Sequence, residues 1–202
     1  MNKLAVCLSF ALVCAFPRAA ALAQSVSSRP YHSPIPDSMN VRFVESRIVI
    51  QRPARAVFDW VTTWGNLPRW LPVAHGVAVV RGKLDAPSQL GDVLIENVNP
   101  ANTSGISKQY TVVAQIDGFL WTVAGQDVVN GKPGDRIQYV ATFAVTPIGP
   151  DSCLFTRLFQ TVRPDEVNPV ERRAVEDPEI IQKGLVRLKS AVESAIPNDE
   201  RG

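Results

Sequence analysis

The residues able to carry acid–base chemistry are few and widely spaced in this sequence. Histidine is the usual general base near neutral pH, and the chain has only two, His32 and His75. His75 stands beside a glycine, where exposure on a loop is the simpler interpretation. Glu96 lies inside an apolar run, VLIENV, and Tyr139 lies in a second strand-like run. The catalytic candidates are therefore Glu96, His75 and Tyr139, and none belongs to a recognisable catalytic motif.

The direction of the side chain, towards solvent or towards the core, is the question for both Glu96 and Arg157, because each interrupts an otherwise apolar strand-like run. Successive side chains of a strand point to opposite faces. Glu96 therefore shares a face with Leu94, and Arg157 shares one with Phe155 and Phe159. Surface exposure is the favoured interpretation for both charges, since burying a charge is costly. If both point inward instead, they can pair and bind a polar head group.

Several aromatic residues alternate within predicted strands, and each can face either a cavity or the ordinary core. An inward Tyr or Trp brings a hydroxyl or an indole N–H as a polar contact. Core packing is the simpler interpretation for any one of them. As ligand-binding candidates we take Trp70, Tyr110, Trp121, Tyr139, Arg157, Gly184 and Leu188.

Composition argues against several classes of function. No His/Cys cluster has the spacing of a metal site, and no phosphate-binding or dinucleotide-binding loop is present, so we predict neither metal nor cofactor. The net charge is +2 and no basic run occurs, which argues against a nucleic-acid partner. Cys153 is the only cysteine after residue 23, so an internal disulfide is not expected. Its alternation with apolar neighbours predicts a buried, unreactive thiol.

The N-terminus has the pattern of a cleavable signal peptide. Lys3 supplies a charged start, residues 4–16 are apolar but too few to span a bilayer, and Ala21-Leu22-Ala23 is a typical cleavage site. We therefore expect cleavage after Ala23 and a periplasmic or secreted protein without a membrane span. Residues 24–40 are rich in Ser and Pro and predict a flexible leader. A single domain is expected over 41–197, followed by a tail over 198–202.

Residues 53–72, PARAVFDWVTTWGNLPRWLP, predict two short helices after a first strand at Val41 to Ile50. Apolar residues recur at i, i+3, i+4 and i+7, the spacing of one helix face. The apolar face carries Val57, Trp60, Val61 and Trp64, and the opposite face carries Arg55, Asp59 and Thr62. We expect Gly65 to end the first helix in a left-handed conformation. Asn66 is expected to cap the second helix, with Pro68 in its first turn.

This segment resembles the START-like (SRPBCC) superfamily, and within it the polyketide cyclase/dehydrase-type proteins. The matching positions are Pro53, Val57, Phe58, Val61, Asn66, Leu67, Pro68 and Trp70. The resemblance extends roughly from Val41 to Ile196. It implies an α+β helix-grip fold, in which a curved antiparallel sheet of about seven strands wraps around a long C-terminal helix.

The rest of the chain is predicted to supply that sheet and that helix. Six runs between Gly76 and Arg163, separated by Gly-, Pro-, Asn- and Asp-rich turns, favour an antiparallel meander. The turn at Asp117-Gly118 predicts a hairpin with both residues at positive φ. From Asp177 onward an apolar helical stripe leads to Pro197. Gly184 lies on this stripe, and it provides either free space facing the sheet or close packing against it.

Two functions remain open at this point. The first is an exported module that binds a hydrophobic small molecule, lipid or polyketide-like, in a cavity between the C-terminal helix and the sheet. The second, implied by the resemblance, is a polyketide cyclase/dehydrase-like enzyme that uses a cavity acid or base on a carbonyl substrate. A protein-binding role would show itself as a large exposed apolar patch, and the sequence identifies no protein partner.

Overall fold

The computed structural model describes residues 41–71, 74, 76–97, 107–163, 166–167 and 169–197, without the side chain of residue 171. His75 and the predicted signal, leader and tail segments lie outside these residues. Within the described part of the chain, no helix has both the length and the apolarity needed to cross a membrane.

The described strands form one antiparallel sheet. Their spatial order is β1-β8-β7-β5-β4-β3-β2, and β6 pairs with β5. The strands alternate between buried and partly exposed positions, most regularly in β8, which explains how one face of the sheet covers the core. Their bounds are β1 (Val41–Ile50), β2 (Val77–Arg81), β3 (Val93–Glu96), β4 (Ser107–Ile116), β5 (Leu120–Val129), β6 (Lys132–Pro133), β7 (Tyr139–Gly149) and β8 (Ser152–Val162).

The helices are inserted after β1 and at the end of the chain. Helix α1 (Ala54–Thr62) is followed by a 3-10 turn (Trp64–Asn66) and by α2 (Leu67–Trp70). Helices α3 (Pro169–Glu176) and α4 (Pro178–Ala195) follow β8. Asp177 separates them, and its carboxylate accepts a hydrogen bond from the Glu179 N–H at 2.9 Å, which caps α4. This is the predicted α+β arrangement, with eight described strands because the two-residue β6 forms in a predicted loop.

The junction between α1 and α2 differs from the prediction in three details. Thr62 is fully buried, because its hydroxyl donates to the Phe58 carbonyl at 2.9 Å and so needs no water. Helix α1 ends at an extended Thr63, and Gly65 lies in the 3-10 turn and is not among the residues with positive φ. The Asn66 side chain donates back to the Trp60 carbonyl at 2.9 Å and does not cap α2.

The hairpin turn after β4 forms as expected, although only one of its two central residues is left-handed. Gly118 has a φ of 73°, and Asp117 does not have positive φ. The Phe119 N–H donates to the Ile116 carbonyl at 3.0 Å and closes the turn. A single glycine is therefore sufficient here.

Aromatic rings from the helices and the sheet meet in the centre of the core. Trp64 contacts Trp121 with ring centroids 5.0 Å apart, and Trp121 stacks on Phe143 at 4.9 Å. Trp70 meets Phe143 and Phe155 edge-on. Such pairs add to the large apolar area that each ring buries. The core therefore fills most of the space between α1, α2 and the sheet.

Candidate functional site

A small cavity lies between the sheet and the C-terminal helices. Its volume is about 50 Å³, room for only a few water molecules at roughly 10–15 Å³ each. This is much less space than the sequence leads us to expect, because large side chains occupy the gap. The cavity is lined by Trp70, Leu71, Glu96, Lys108, Tyr110, Arg157, Phe159, Ala174, Val175, Ile180, Ile181, Gly184 and Leu185.

The sheet contributes charged and polar side chains to the cavity, whereas the helices contribute apolar ones. Glu96 and Arg157 are 2% and 6% exposed, so both charges point inward and the favoured expectation of surface placement is wrong. The alternation of the strands explains the outcome, because the same faces carry the fully buried Leu94 and Phe155. If either strand were turned so that its charged side chain faced solvent, the apolar side chains on the same strand face would be exposed as well.

Glu96 sits at the end of β3 and accepts a hydrogen bond from the Tyr110 hydroxyl at 3.3 Å. The strand stops there, because Asn97 adopts a left-handed φ of 63° and its N–H donates to the Gly76 carbonyl. Burial, followed by the nearby negative charge of Glu96, raises the pKa of Tyr110 well above its usual value. Tyr110 therefore remains a neutral hydroxyl donor.

A glycine on β5 makes room for the Tyr110 ring. Gly125 is the cross-strand neighbour of Tyr110 on β4 and of Tyr139 on β7. A Cβ at Gly125 would lie 2.3 Å from the Cε1 atom of Tyr110. Only glycine fits under the ring without a shift of the ring or the strand, so Gly125 positions Tyr110 against Glu96.

Lys108 brings a second cation to the cavity wall. It is 4% exposed, and its Nζ lies 4.2 Å from the centroid of the Tyr139 ring. In the register of the sheet it is opposite Glu96 on one side and Asp127 on the other. Both of its cross-strand neighbours are carboxylates, so negatively charged residues flank it in the sheet.

The cavity brings together only some of the residues proposed from the sequence. Trp70, Tyr110, Arg157, Gly184 and Glu96 line it. Trp121 is buried against Trp64 and Phe143, and Leu188 is fully buried in the core, so neither is part of the lining. Tyr139 is also fully buried outside the lining and packs against Phe159. His75 lies outside the described residues.

Sequence reasoning missed Lys108 and Gly125, although both left a signal. Lys108 precedes Tyr110 by two residues on β4, so it has to share the face of that tyrosine. Gly125 is an isolated glycine inside a strand, a pattern that often marks the close approach of another group. The apolar lining from α3, Ala174 and Val175, carried no signal, because it depends on how α3 folds back over the sheet.

The described residues contain no cluster of three or more His, Cys, Asp or Glu side chains able to hold a metal ion. Cys153 is fully buried on β8 and makes no disulfide. Burial raises the pKa of its thiol to about 11, and Lys189 only partly opposes this. The predicted burial of Cys153 is confirmed.

An antiparallel sheet that holds a C-terminal helix over a partly charged cavity defines a START-like domain of the helix-grip type. The chain belongs to the polyketide cyclase/dehydrase and lipid transport family, whose model matches residues 42–193. This confirms the resemblance carried by the segment after β1. A search of curated protein sequences gives no significant match.

Solved structures share this fold at low sequence identity. A START superfamily protein from Mycobacterium smegmatis superposes with a TM-score of 0.53 at 18% identity, over 76% of this chain and 99% of that chain. Truncated norcoclaurine synthase from Thalictrum flavum gives a TM-score of 0.52 at 18% identity, over 81% of this chain and 98% of that chain. At this identity the likeness shows the fold alone.

Proposed function

We propose that this domain binds a small, largely apolar molecule, lipid or polyketide-like, between α3, α4 and the sheet. The observation that carries the proposal is the cavity itself, in which apolar side chains of both helices face buried polar groups of the sheet. Few convergent polar groups in an apolar wall are typical of small-molecule sites. Membership of a family described by cyclase, dehydrase and lipid transport functions supports the same class of ligand.

The size of the cavity limits how such a ligand binds. Pockets for drug-sized ligands measure roughly 300–1,000 Å³, whereas this cavity measures about 50 Å³. The closed space therefore fits a polar head group and a few carbon atoms. A longer tail requires α3 and the first turns of α4 to move away from the sheet.

Two measurements on the full-length protein test this proposal. Native mass spectrometry of the purified protein should reveal a bound small molecule, and thermal unfolding across a hydrophobic library should reveal stabilising compounds. Substitution Gly184→Val adds a side chain at the cavity wall and should abolish the stabilisation. Lys183→Val, on the exposed side of the same helix, is the matched control. If no bound molecule is found and no compound stabilises the protein, the proposal is contradicted.

An enzymatic role is the second candidate, and Glu96 favours it. A carboxylate 3.3 Å from a tyrosine hydroxyl in a mostly apolar cavity is a suitable base for removing a proton next to a carbonyl. That step produces an enolate and a neutral carboxylic acid, and the buried cations of the cavity are positioned to stabilise the enolate.

Glu96→Gln separates the two candidates, because it removes the base and preserves the side-chain volume. An enzyme should lose at least about a hundredfold in turnover of polyketide-like carbonyl compounds and should still be stabilised by ligands. Product formation followed by mass spectrometry makes the measurement. Unchanged turnover in the variant, or no turnover in the parent protein, would reject this candidate.

We also propose that the protein acts in the periplasm or outside the cell. The charged start, the apolar run and the A-x-A site of residues 1–23 support this. N-terminal sequencing of the exported protein should find Gln24 as the first residue, and recovery of the protein only from the cytoplasmic fraction with an intact Met1 would contradict the proposal.

A further inference from the structure

The guanidinium of Arg157 is the most unusual group in the cavity. It is 6% exposed, lines the cavity and lies with its Cζ 4.6 Å from the centroid of the Phe159 ring. No described side chain or backbone carbonyl accepts a hydrogen bond from it, and no described carboxylate lies within ion-pair distance. A buried charge that lacks such partners is costly for the folded protein.

The neighbours of Arg157 in the sheet do not compensate its charge. Its cross-strand partners are Ser46 on β1 and Phe143 on β7. The Ser46 hydroxyl is itself buried without a hydrogen-bond partner in the described residues. Lys108, in contrast, has a carboxylate on each neighbouring strand. The positive charge that remains open to the cavity is therefore on β8.

The pKa of Arg157 also indicates that its charge is only partly compensated within the cavity. Burial lowers the pKa of Arg157 to about 10, and interactions with Tyr110 and Glu96 only partly offset the cost of burial. At neutral pH the guanidinium is still protonated. It is therefore a buried cation whose five N–H donors can be satisfied by an anionic oxygen group.

We propose that Arg157 anchors the carboxylate of the ligand, and that the ligand is a monoanionic acid with an apolar body. The proposal rests on the proposed binding function and specifies the chemistry of its ligand. A guanidinium matches the planar geometry of a carboxylate, and about 50 Å³ is enough for that head group. The apolar body then lies along Val175, Ile181 and Leu185.

A series of compounds with one eight-carbon body and different head groups tests this proposal on the full-length protein. Isothermal titration should show that octanoate binds at least about tenfold more tightly than 1-octanol, because a charge-assisted hydrogen bond replaces a neutral one. Octylamine should bind more weakly than either. The Nε resonance of Arg157 in ¹⁵N NMR spectra should shift with octanoate and stay in place with 1-octanol.

Variants assign the preference to this one side chain. Arg157→Gln should reduce the acid-to-alcohol preference to about twofold or less, whereas Arg157→Lys should retain part of it. Arg47→Gln is the matched control, because Arg47 lies on neighbouring β1 with its side chain 61% exposed. If Arg157→Gln does not fold, the NMR shift and the preference of the parent protein still decide the question.

The outcomes distinguish a failure of the carboxylate anchor from a failure of the proposed binding function. Equal affinity for octanoate and 1-octanol would overturn the carboxylate anchor and leave the binding function standing. Failure of all three compounds and of the hydrophobic library would overturn both. Equal affinity for acetate and octanoate would support a free small acid as the ligand. An affinity that rises with chain length would support an amphiphile.

Discussion

The position of Tyr110 depends on Gly125, a residue without a side chain that lies on β5, two strands away from Glu96 on β3. Gly125 lies under the Tyr110 ring, and any Cβ there would overlap two ring carbons, at 2.3 and 2.5 Å. The substitution Gly125→Ala should therefore destabilise the domain by about 1–3 kcal/mol, the usual cost of overpacking a core. It should also weaken the contact between Tyr110 and Glu96. Chemical denaturation measures the first effect, and ligand affinity measures the second.

Gly134→Ala is the control for this substitution. A Cβ at Gly134 meets only the Asp127 carbonyl oxygen at 3.5 Å, an ordinary contact, so we expect a change within about 0.5 kcal/mol. Equal stability of the Gly125→Ala variant and the parent protein would show that the ring moves aside freely. In that case Gly125 would have no positioning role.

The Cys153 thiol should react slowly in the folded protein. Its side chain is fully buried and its pKa is raised to about 11, so little thiolate exists at pH 8. In the chain that starts at Gln24, where Cys153 is the only cysteine, labelling of the folded protein with a chromogenic disulfide should be at least about a hundredfold slower than labelling in denaturant. Rapid labelling under native conditions would indicate that β8 is open to solvent.

The inward direction of Glu96 and Arg157 shows which features of the site can be predicted from residue types alone. Alternation along β3 and β8 indicated correctly which residues share a face. The choice between the two faces depended on a general preference of charges for water. That preference failed because β8 carries Cys153, Phe155 and Phe159 on the same side, and their combined burial outweighs the cost of one buried guanidinium.

At the scale of elements, Asp177 sets the position of the helices that cover the cavity. Its N–H donates to the Arg173 carbonyl at 2.9 Å and extends the hydrogen bonding of α3, and its carboxylate caps the first turn of α4. Asp177→Ala should lower the unfolding temperature by a few degrees at pH 7. Asp177→Asn should have a smaller effect, because an amide oxygen also caps. Calorimetry of the three proteins provides the comparison.

The part of the Asp177 effect that depends on its negative charge should disappear in acid. The hydrogen bond from the Glu179 N–H, together with the Arg173 guanidinium, holds the pKa of Asp177 below its usual value. A lowered pKa stabilises the folded state at every pH above the unfolded value of about 3.9. That stabilisation is lost as the pH falls through the lower, folded-state pKa. The difference in unfolding temperature between the parent and Asp177→Ala proteins should therefore narrow as the pH falls below about 3.9, to the smaller difference that a neutral capping oxygen gives, and a difference that does not change with pH would contradict this.

Element types and order follow well from local signals in this chain. The bounds of β1 match the predicted strand at Val41 to Ile50, and the predicted turn at Asp117-Gly118 closes β4. The two-residue β6 could not be predicted, since it exists only through pairing with β5. The cap of α2 failed for a similar reason, because the Asn66 side chain finds a nearer acceptor at Trp60.

At the scale of the whole molecule, polar contacts hold one half of α4 more firmly than the other. Near its C-terminal end, Lys189 donates to the Val49 carbonyl at 3.0 Å, and Glu193 accepts from the Gln51 N–H at 2.7 Å. Arg52 reaches the Ile196 carbonyl at 2.5 Å. The residues of α4 that line the cavity all lie in its N-terminal half. The size of the cavity is a property of this packing, which no local sequence pattern describes.

Opening of the cavity should therefore begin at α3 and the N-terminal half of α4, with the C-terminal half as a hinge. In hydrogen–deuterium exchange, amides 182–186 should exchange faster than amides 189–195. Residues 178–181 are left out because they form the first helical turn, in which Pro178 has no N–H and the N–H groups of residues 179 and 180 lack helical acceptors. A bound ligand should slow exchange at 182–186 far more than at 189–195. Glu193→Gln weakens its contacts with Lys189 and the Gln51 N–H and should reduce the difference between the halves, whereas Glu45→Gln on β1 should not. Uniform exchange along α4, with or without ligand, would show that the helix lifts as one body or that the cavity does not open at all.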